Sequence, residues 1–172
     1  LSDDAAIIVS RDITDRKHME EDLWEMSFRD QLTGLYNRRG FFSHAEQQMK
    51  AAARTRNRMP LIFVDVDNMK WVNDSLGHEE GDRMLMDTAA VFRQTFRDAD
   101  ILARVGGDEF AVLATDAKEI APELLSERLQ RNIDAHNSAA ERPYALAMSW
   151  GIAVYDPDMP VSLDELMAWA DE

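Results

Sequence analysis

Two pairs of carboxylates, with a lysine, an amide and an imidazole between them, are the side chains in this sequence whose spacing could do chemistry. Asp65 and Asp67 close the apolar run Leu61-Ile62-Phe63-Val64, and Asp108 and Glu109 follow directly on Gly106-Gly107. Consecutive acids beside a bare glycine backbone suit a divalent metal held close to phosphate oxygens. A solvated hairpin tip would suit Asp108 as well, and the residues alone leave both readings standing. An EF-hand is excluded, because counting from Asp65 puts Lys70 where the loop glycine belongs and Leu76 where the bidentate glutamate belongs. Between the acidic pairs lie Lys70, Asn73, His78 and Asp82. An amide and a carboxylate near a phosphate site could read a guanine edge, since a carboxylate accepts from its N1–H and exocyclic amine. The plainer alternative makes Asn73-Asp74-Ser75 a turn and Asp82 an acid favoured early in a helix. Arg97 and Asp100, three apart, read first as a local pairing of opposite charges.

The elements that must position these groups follow from the apolar pattern. Leu61 to Val64 is continuous, as expected of a buried central strand that delivers carboxylates at its exit. Ile101 to Val105 and Phe110 to Ala114 read as short strands of a hairpin, its turn favoured by glycines that tolerate positive φ. Gly34 and Asn37 read as turn or cap residues before a helix to about Arg54, with a stripe of Phe41, Phe42, Ala45, Met49 and Ala52 or Ala53. Asn68 to Asp82 reads as a polar connection into a helix that ends near Arg97 and buries Leu85, Ala89, Phe92 and Phe96. Ala121 to His136 is expected as a helix with Leu124, Leu125, Leu129 and Ile133 inward. Tyr144 to Tyr155 is expected as a strand bent at Gly151, and Leu163 to Ala170 as the start of a last helix. At the other end, Ala5 to Val9 reads as a strand. A polar helix follows, with Asp12 or Thr14 as cap and Met19, Leu23 and Met26 at coiled-coil spacing.

Composition bounds the rest. The 172 residues are 45% hydrophobic, enough for one cored domain with a short appendage. A formal net charge of -14 argues against binding to a nucleic-acid polymer or an anionic membrane, so cations must bridge any nucleotide to the protein. Without cysteine there is no disulfide framework, zinc-thiolate site or thiol nucleophile. No apolar run is long enough to span a bilayer and no signal-peptide pattern opens the chain, which starts at Leu1 and reads as a piece of something longer.

Several of these segments share one resemblance. Arg104 with Gly106-Gly107-Asp108-Glu109-Phe110 resembles the signature of the GGDEF-family diguanylate cyclases. Asp30-Gln31-Leu32-Thr33-Gly34-Leu35-Tyr36-Asn37-Arg38-Arg39 is similar to the Asp-x-Leu-Thr-Gly-Leu-x-Asn-Arg-Arg segment that opens the family's domain. The run from Asp65 to Asp82 reproduces its Asp-x-Asp-x-x-Lys-x-x-Asn-Asp-x-x-Gly-His-x-x-Gly-Asp pattern. The resemblance implies an α+β fold, the palm-like, ferredoxin-like architecture of nucleotidyl cyclases, with a mainly antiparallel central sheet covered by helices. It implies condensation of two GTP into cyclic di-GMP with release of two pyrophosphates, in a cytoplasmic homodimer. By the same resemblance Asp65, the Val66 carbonyl and Asp108 would bind Mg²⁺ or Mn²⁺, and Asp108, Glu109 and Lys70 would be catalytic. Asn73, His78 and Asp82 would bind substrate, while Gly106 and Gly107 would let the backbone approach the phosphates. Arg97 and Asp100 match the family's Arg-x-x-Asp inhibitory site and imply feedback by the product. Residues 1–29, through Asp12-Ile13-Thr14-Asp15-Arg16-Lys17, look like the end of a PAS sensor domain and its signalling helix, ahead of a GGDEF domain at 30–172. Ala170-Asp171 resembles the start of that family's Ala-Asp-x-Ala-Leu-Tyr-x-Ala-Lys segment, so the domain's C-terminal end reads as truncated. The rival that keeps the fold is a catalytically silent GTP- or cyclic di-GMP-binding module beside a phosphodiesterase domain.

Overall fold

The computed structural model describes residues 27–115 and 122–171. The strand expected over Ala5 to Val9 and the helix expected around Met19, Leu23 and Met26 lie outside the described residues. The order of elements is β1 (Tyr36–Asn37), α1 (Arg38–Thr55), β2 (Met59–Val66), α2 (Met69–Leu76), α3 (His78–Thr95), β3 (Ile101–Arg104), β4 (Glu109–Leu113), α4 (Pro122–Ala139), β5 (Met148–Tyr155) and α5 (Leu163–Asp171). Strands stand in the order β1-β3-β4-β2-β5. Every pairing is antiparallel except that of the two-residue β1 with β3. The fold is the expected α+β palm.

Strand alternation divides the interior into two cores. Ile62, Val64 and Val66 of β2, with Phe110 and Val112 of β4, pack against α2, α3 and α4 through Val72, Met84, Phe92, Leu125 and Leu129. Met59 and Leu61 of β2, with Ala111 and Leu113 of β4, pack on the other face against α1 and α5 through Phe41, Ala45, Leu163 and Leu166. Both faces of β2 are therefore covered, which is why its sequence is continuous rather than alternating. Helix α1 starts where expected: the Asn37 side chain accepts from the Gly40 N–H at 3.0 Å as its cap.

Three expectations change. The Asn68–Asp82 connection is itself helical, because Met69 and Val72 are buried and hold two turns in place, so Asn73-Asp74-Ser75 is helix and not turn. Asn68 precedes it at φ 64, a left-handed conformation that asparagine tolerates. Leu124 is 56% exposed, since the inward stripe of α4 runs Leu125, Leu129, Ile133 and leaves its neighbour to the side. Gly151 makes no break in β5. A Cβ there would overlap the Ala170 carbonyl oxygen and stand 3.1 Å from its carbon, so the glycine lets α5 approach the strand backbone.

Candidate active site

The β3–β4 hairpin delivers the acids to the end of the central strand. Its register pairs Asp65 of β2 with Glu109 of β4, so the two carboxylates stand opposite each other on the face that carries α1 and α5. The Val66 N–H donates to the Asp108 carbonyl at 3.0 Å and fixes the turn against the strand exit. Asp67, two residues beyond Asp65, accepts from the Ser149 hydroxyl at 2.9 Å. Partial burial raises the Asp65 carboxyl above its ordinary range, and repulsion from Asp108, Asp67, Glu109 and Asp171 raises it further. The donor set is all oxygen, the ligand chemistry of Mg²⁺ and Mn²⁺, and its mutual repulsion is of the kind a divalent cation relieves. Among the described residues no three His, Asp or Glu side chains form a ready-made cage. Mg²⁺ commonly takes one or two carboxylates together with substrate phosphates, and this site offers that number.

The turn is braced by Arg104. Its Nη2 and Nε donate to the Gly107 carbonyl at 2.7 and 3.1 Å, and its Nη1 lies 3.4 Å from Asp30 Oδ2. Asp30 is itself fixed, accepting from the Thr33 N–H at 2.9 Å and the Thr33 hydroxyl at 2.6 Å. Burial would raise the Asp30 carboxyl, but the Thr33 hydrogen bonds and the Arg104 charge hold it below its ordinary value. The glycines of the turn do not take positive φ. A Cβ on Gly106 would overlap Glu109 Oε2 and stand 2.9 Å from its Cδ, so this glycine makes room for the catalytic-candidate carboxylate itself. The space around Gly107 is open, as a phosphate approach would need.

On the α2–α3 side a pocket of about 420 Å³ opens beside the turn. Lys70, Asn73 and Asp74 from α2, His78 and Asp82 from α3, and Arg104, Gly107 and Asp108 from the hairpin line it. Among the described residues the side chains of Lys70, Asn73, His78 and Asp82 make no hydrogen bond or ion pair, which leaves them available to a ligand. Asp65 lines a separate cavity of about 230 Å³ with Ser149, Gly151 and Asp171. Asp108 connects the two, lining the larger pocket while raising the Asp65 carboxyl.

Arg97 and Asp100 sit apart from this centre, in a third cavity of about 250 Å³ shared with Arg29, Tyr36 and Arg93. Asp100 caps the chain locally, accepting from the backbone N–H of Arg97 at 2.9 Å and of Thr115 at 3.0 Å. Arg29 lies 4.1 Å over the Tyr36 ring, a cation–π contact on the cavity wall.

Two groups were given no role by the sequence. Arg104 stands there as part of the family signature, with no signal of its reach to Asp30. Gly81 read as part of the polar connection; the structure places it inside a helix, an unfavourable position for glycine that signals a packing reason, and a Cβ there would overlap Asn73 Oδ1.

Comparison with known proteins agrees with this geometry. The family described as "Diguanylate cyclase, GGDEF domain" matches residues 27–172. The cyclic di-GMP phosphodiesterase NbdA of Pseudomonas aeruginosa is 33% identical over 141 residues, covering 82% of this chain and 18% of that protein. A diguanylate cyclase of Vibrio cholerae serotype O1 is 33% identical over 128 residues, covering 74% of this chain and 40% of that protein. The chain therefore spans well under half the length of these relatives. The coiled coil and GGDEF domain of DgcB from Caulobacter crescentus, solved in complex with c-di-GMP, superposes with a TM-score of 0.82 at 24% identity, over 98% of this chain and 90% of that one. That likeness speaks for the fold. The match over residues 27–172 shows that the chain belongs to the GGDEF family of diguanylate cyclase domains.

Proposed function

We propose that this chain is the catalytic domain of a diguanylate cyclase, joining two GTP molecules into cyclic di-GMP. The observation that carries the reading is the pairing of Asp65 with Glu109 beside Asp108, which itself lines a pocket with Lys70, Asn73 and Asp82. In each half-reaction the 3′-hydroxyl of one GTP attacks the α-phosphate of the other, the bond to the bridging oxygen breaks, and pyrophosphate leaves. Asp65, Asp108 and the Val66 carbonyl would hold Mg²⁺ or Mn²⁺. When bound, the ion supplies neutralisation of phosphate charge and polarisation of the hydroxyl. Glu109 assists in removing the hydroxyl proton. Lys70 holds phosphate charge as a point cation, Asn73 and Asp82 read the guanine, and His78 contacts the substrate from the start of α3. Gly107 admits the phosphates to the backbone.

A pocket of about 420 Å³ is of ordinary size for one small ligand. Two GTP molecules then require two copies facing each other, so the active form is a homodimer. Residues 1–29, as sensor end and signalling helix, would control that pairing. Arg97 and Asp100 would bind the product and arrest the enzyme. GTP as substrate places the domain in the cytoplasm. Among the described residues no helix is long and apolar enough to cross a membrane.

The silent-module reading draws support from the likeness to NbdA, a protein named for the opposite activity. One experiment separates the two. The purified protein is incubated with GTP and Mg²⁺ or Mn²⁺, with and without added cyclic di-GMP, and the nucleotides are resolved by chromatography. Cyclic di-GMP formed by wild type and not by Glu109→Gln supports the cyclase, and suppression by added product supports feedback. Metal-dependent GTP binding by a folded protein that forms no product turns the assignment to the regulatory module.

A further inference from the structure

Gly81 is the fourth residue of α3, where alanine would favour the helix. Its φ is not positive, so backbone conformation does not require glycine there. Space does. A Cβ on Gly81 would overlap Asn73 Oδ1 and stand 3.0 Å from its Cγ and 3.4 Å from its Nδ2. The end of the Asn73 side chain thus lies directly on the backbone of α3. Among the described residues no hydrogen bond holds that amide, and this contact restrains it. Gly81 is also the residue before Asp82, and Asn73 and Asp82 line the same pocket. The seat for one polar group and the attachment point of the other are consecutive on one rigid helix.

We propose that Gly81 is a specificity-determining positioning residue. It seats the Asn73 carboxamide so that amide and Asp82 carboxylate present a fixed hydrogen-bonding edge to one purine. The inference rests on the reading of this pocket as the GTP site. A guanine edge offers a carbonyl acceptor beside two donors, whereas adenine places a donor and an acceptor where guanine has the reverse. Only an amide held in one orientation discriminates between them, because a freely turning carboxamide exchanges its donor and acceptor ends. A methyl group at position 81 displaces a flexible side-chain end rather than backbone, so its effect falls on recognition more than on folding.

The test measures binding of GTP and of ATP, each with Mg²⁺, by calorimetry on wild type, Gly81→Ala, Asn73→Ala and the double variant, with thermal unfolding of all four. The expected result is that Gly81→Ala lowers the preference for GTP over ATP by about tenfold or more, to the level of Asn73→Ala, and that the double variant loses no more than either. Melting should rise on Gly81→Ala in the Asn73→Ala background, where helix preference acts without the crowding, and rise less or fall when Asn73 is present. Wild-type preference in Gly81→Ala, with preference lost in Asn73→Ala, overturns the seat and leaves the GTP site intact. Full preference in Asn73→Ala overturns both, since the base is then read elsewhere. Should Gly81→Ala fail to fold, recovery of folding in the double variant supports the contact, and failure of both variants overturns it.

Discussion

Replacing Arg104 by lysine keeps the charge and removes the planar fork that closes the Gly106–Asp108 turn. In the native turn two guanidinium nitrogens share the Gly107 carbonyl, at 2.7 and 3.1 Å, while a third faces Asp30 at 3.4 Å. An ammonium can satisfy one of these partners at a time. A hydrogen bond from a charged donor contributes about 1.5–3 kcal/mol. The Arg104 side chain is 17% exposed and that of Asp30 22%, so water replaces part of what is lost. The net loss should lie near 2 kcal/mol for the carbonyl bonds, with well under 1 kcal/mol from the partly exposed ion pair. If the braced turn is the productive one, a 2 kcal/mol shift lowers its share about 30-fold, because 1.36 kcal/mol is a factor of ten.

The assay is cyclic di-GMP formation at varied GTP, read as kcat and KM separately. Arg104→Lys should lower kcat about 10- to 100-fold and move KM by much less, because the turn carries Asp108 and Glu109 whereas the base-reading pair sits on α2 and α3. Asp30→Asn should act in the same direction, by about two- to fivefold, and should add little to Arg104→Lys, since among the described residues its contact with the hairpin is with that guanidinium. The same energies bound the loss of folding stability at about 2 kcal/mol, readable by chemical denaturation. Arg104→Lys with kcat within twofold of wild type would refute the brace. A change confined to KM would instead make Arg104 a direct contact to substrate.

Asp65→Asn should stabilise the metal-free protein while abolishing turnover. The Asp65 carboxyl is raised in the fold by burial and by its acidic neighbours, so its ionisation opposes folding, and stability increases as pH falls through the folded value. Solvent exposure keeps the gain below about 1 kcal/mol; a lower melting temperature in Asp65→Asn at neutral pH without metal would contradict the repulsion. Asp87 predicts the opposite sign. Burial would raise its carboxyl, but hydrogen bonds from Arg142 at 2.8 and 2.9 Å and from Tyr144 at 2.9 Å, with the charge of Arg142 and a protonatable His136, depress it overall. This contribution is fully present above the unfolded carboxylate value, about 3.9, and is lost as pH falls through the lower folded value. Asp87→Asn should cost about 2–3 kcal/mol at neutral pH and flatten the acid limb of a stability-versus-pH curve, and an unchanged acid limb would show that another group controls it.

How much of this domain could be read from its residues depends on whether each cause was local. The central strand, the hairpin strands and the cap of α1 were legible because apolar runs and Asn37 act on their own neighbours. The two-turn helix α2 was not, since its residues prefer a turn and its helicity comes from burying Met69 and Val72 against a core assembled from distant strands. Family resemblance implied only that Asp65 and Asp108 share a metal; the register that pairs Asp65 with Glu109 was not legible, since spacing alone left these two acids 44 residues apart. The glycines mark the boundary most clearly. At Gly34 and Gly77, φ of 70° and 93° makes glycine a property of the local backbone, the case that turn rules describe. At Gly81, Gly106 and Gly151 the backbone would accept a Cβ and another group stands in its place: the Asn73 amide, the Glu109 carboxylate, the Ala170 carbonyl. A glycine of this second kind belongs to the residue it accommodates. Its meaning becomes visible only once the fold has named that partner, and here two of the three partners are side chains on which the proposed chemistry depends.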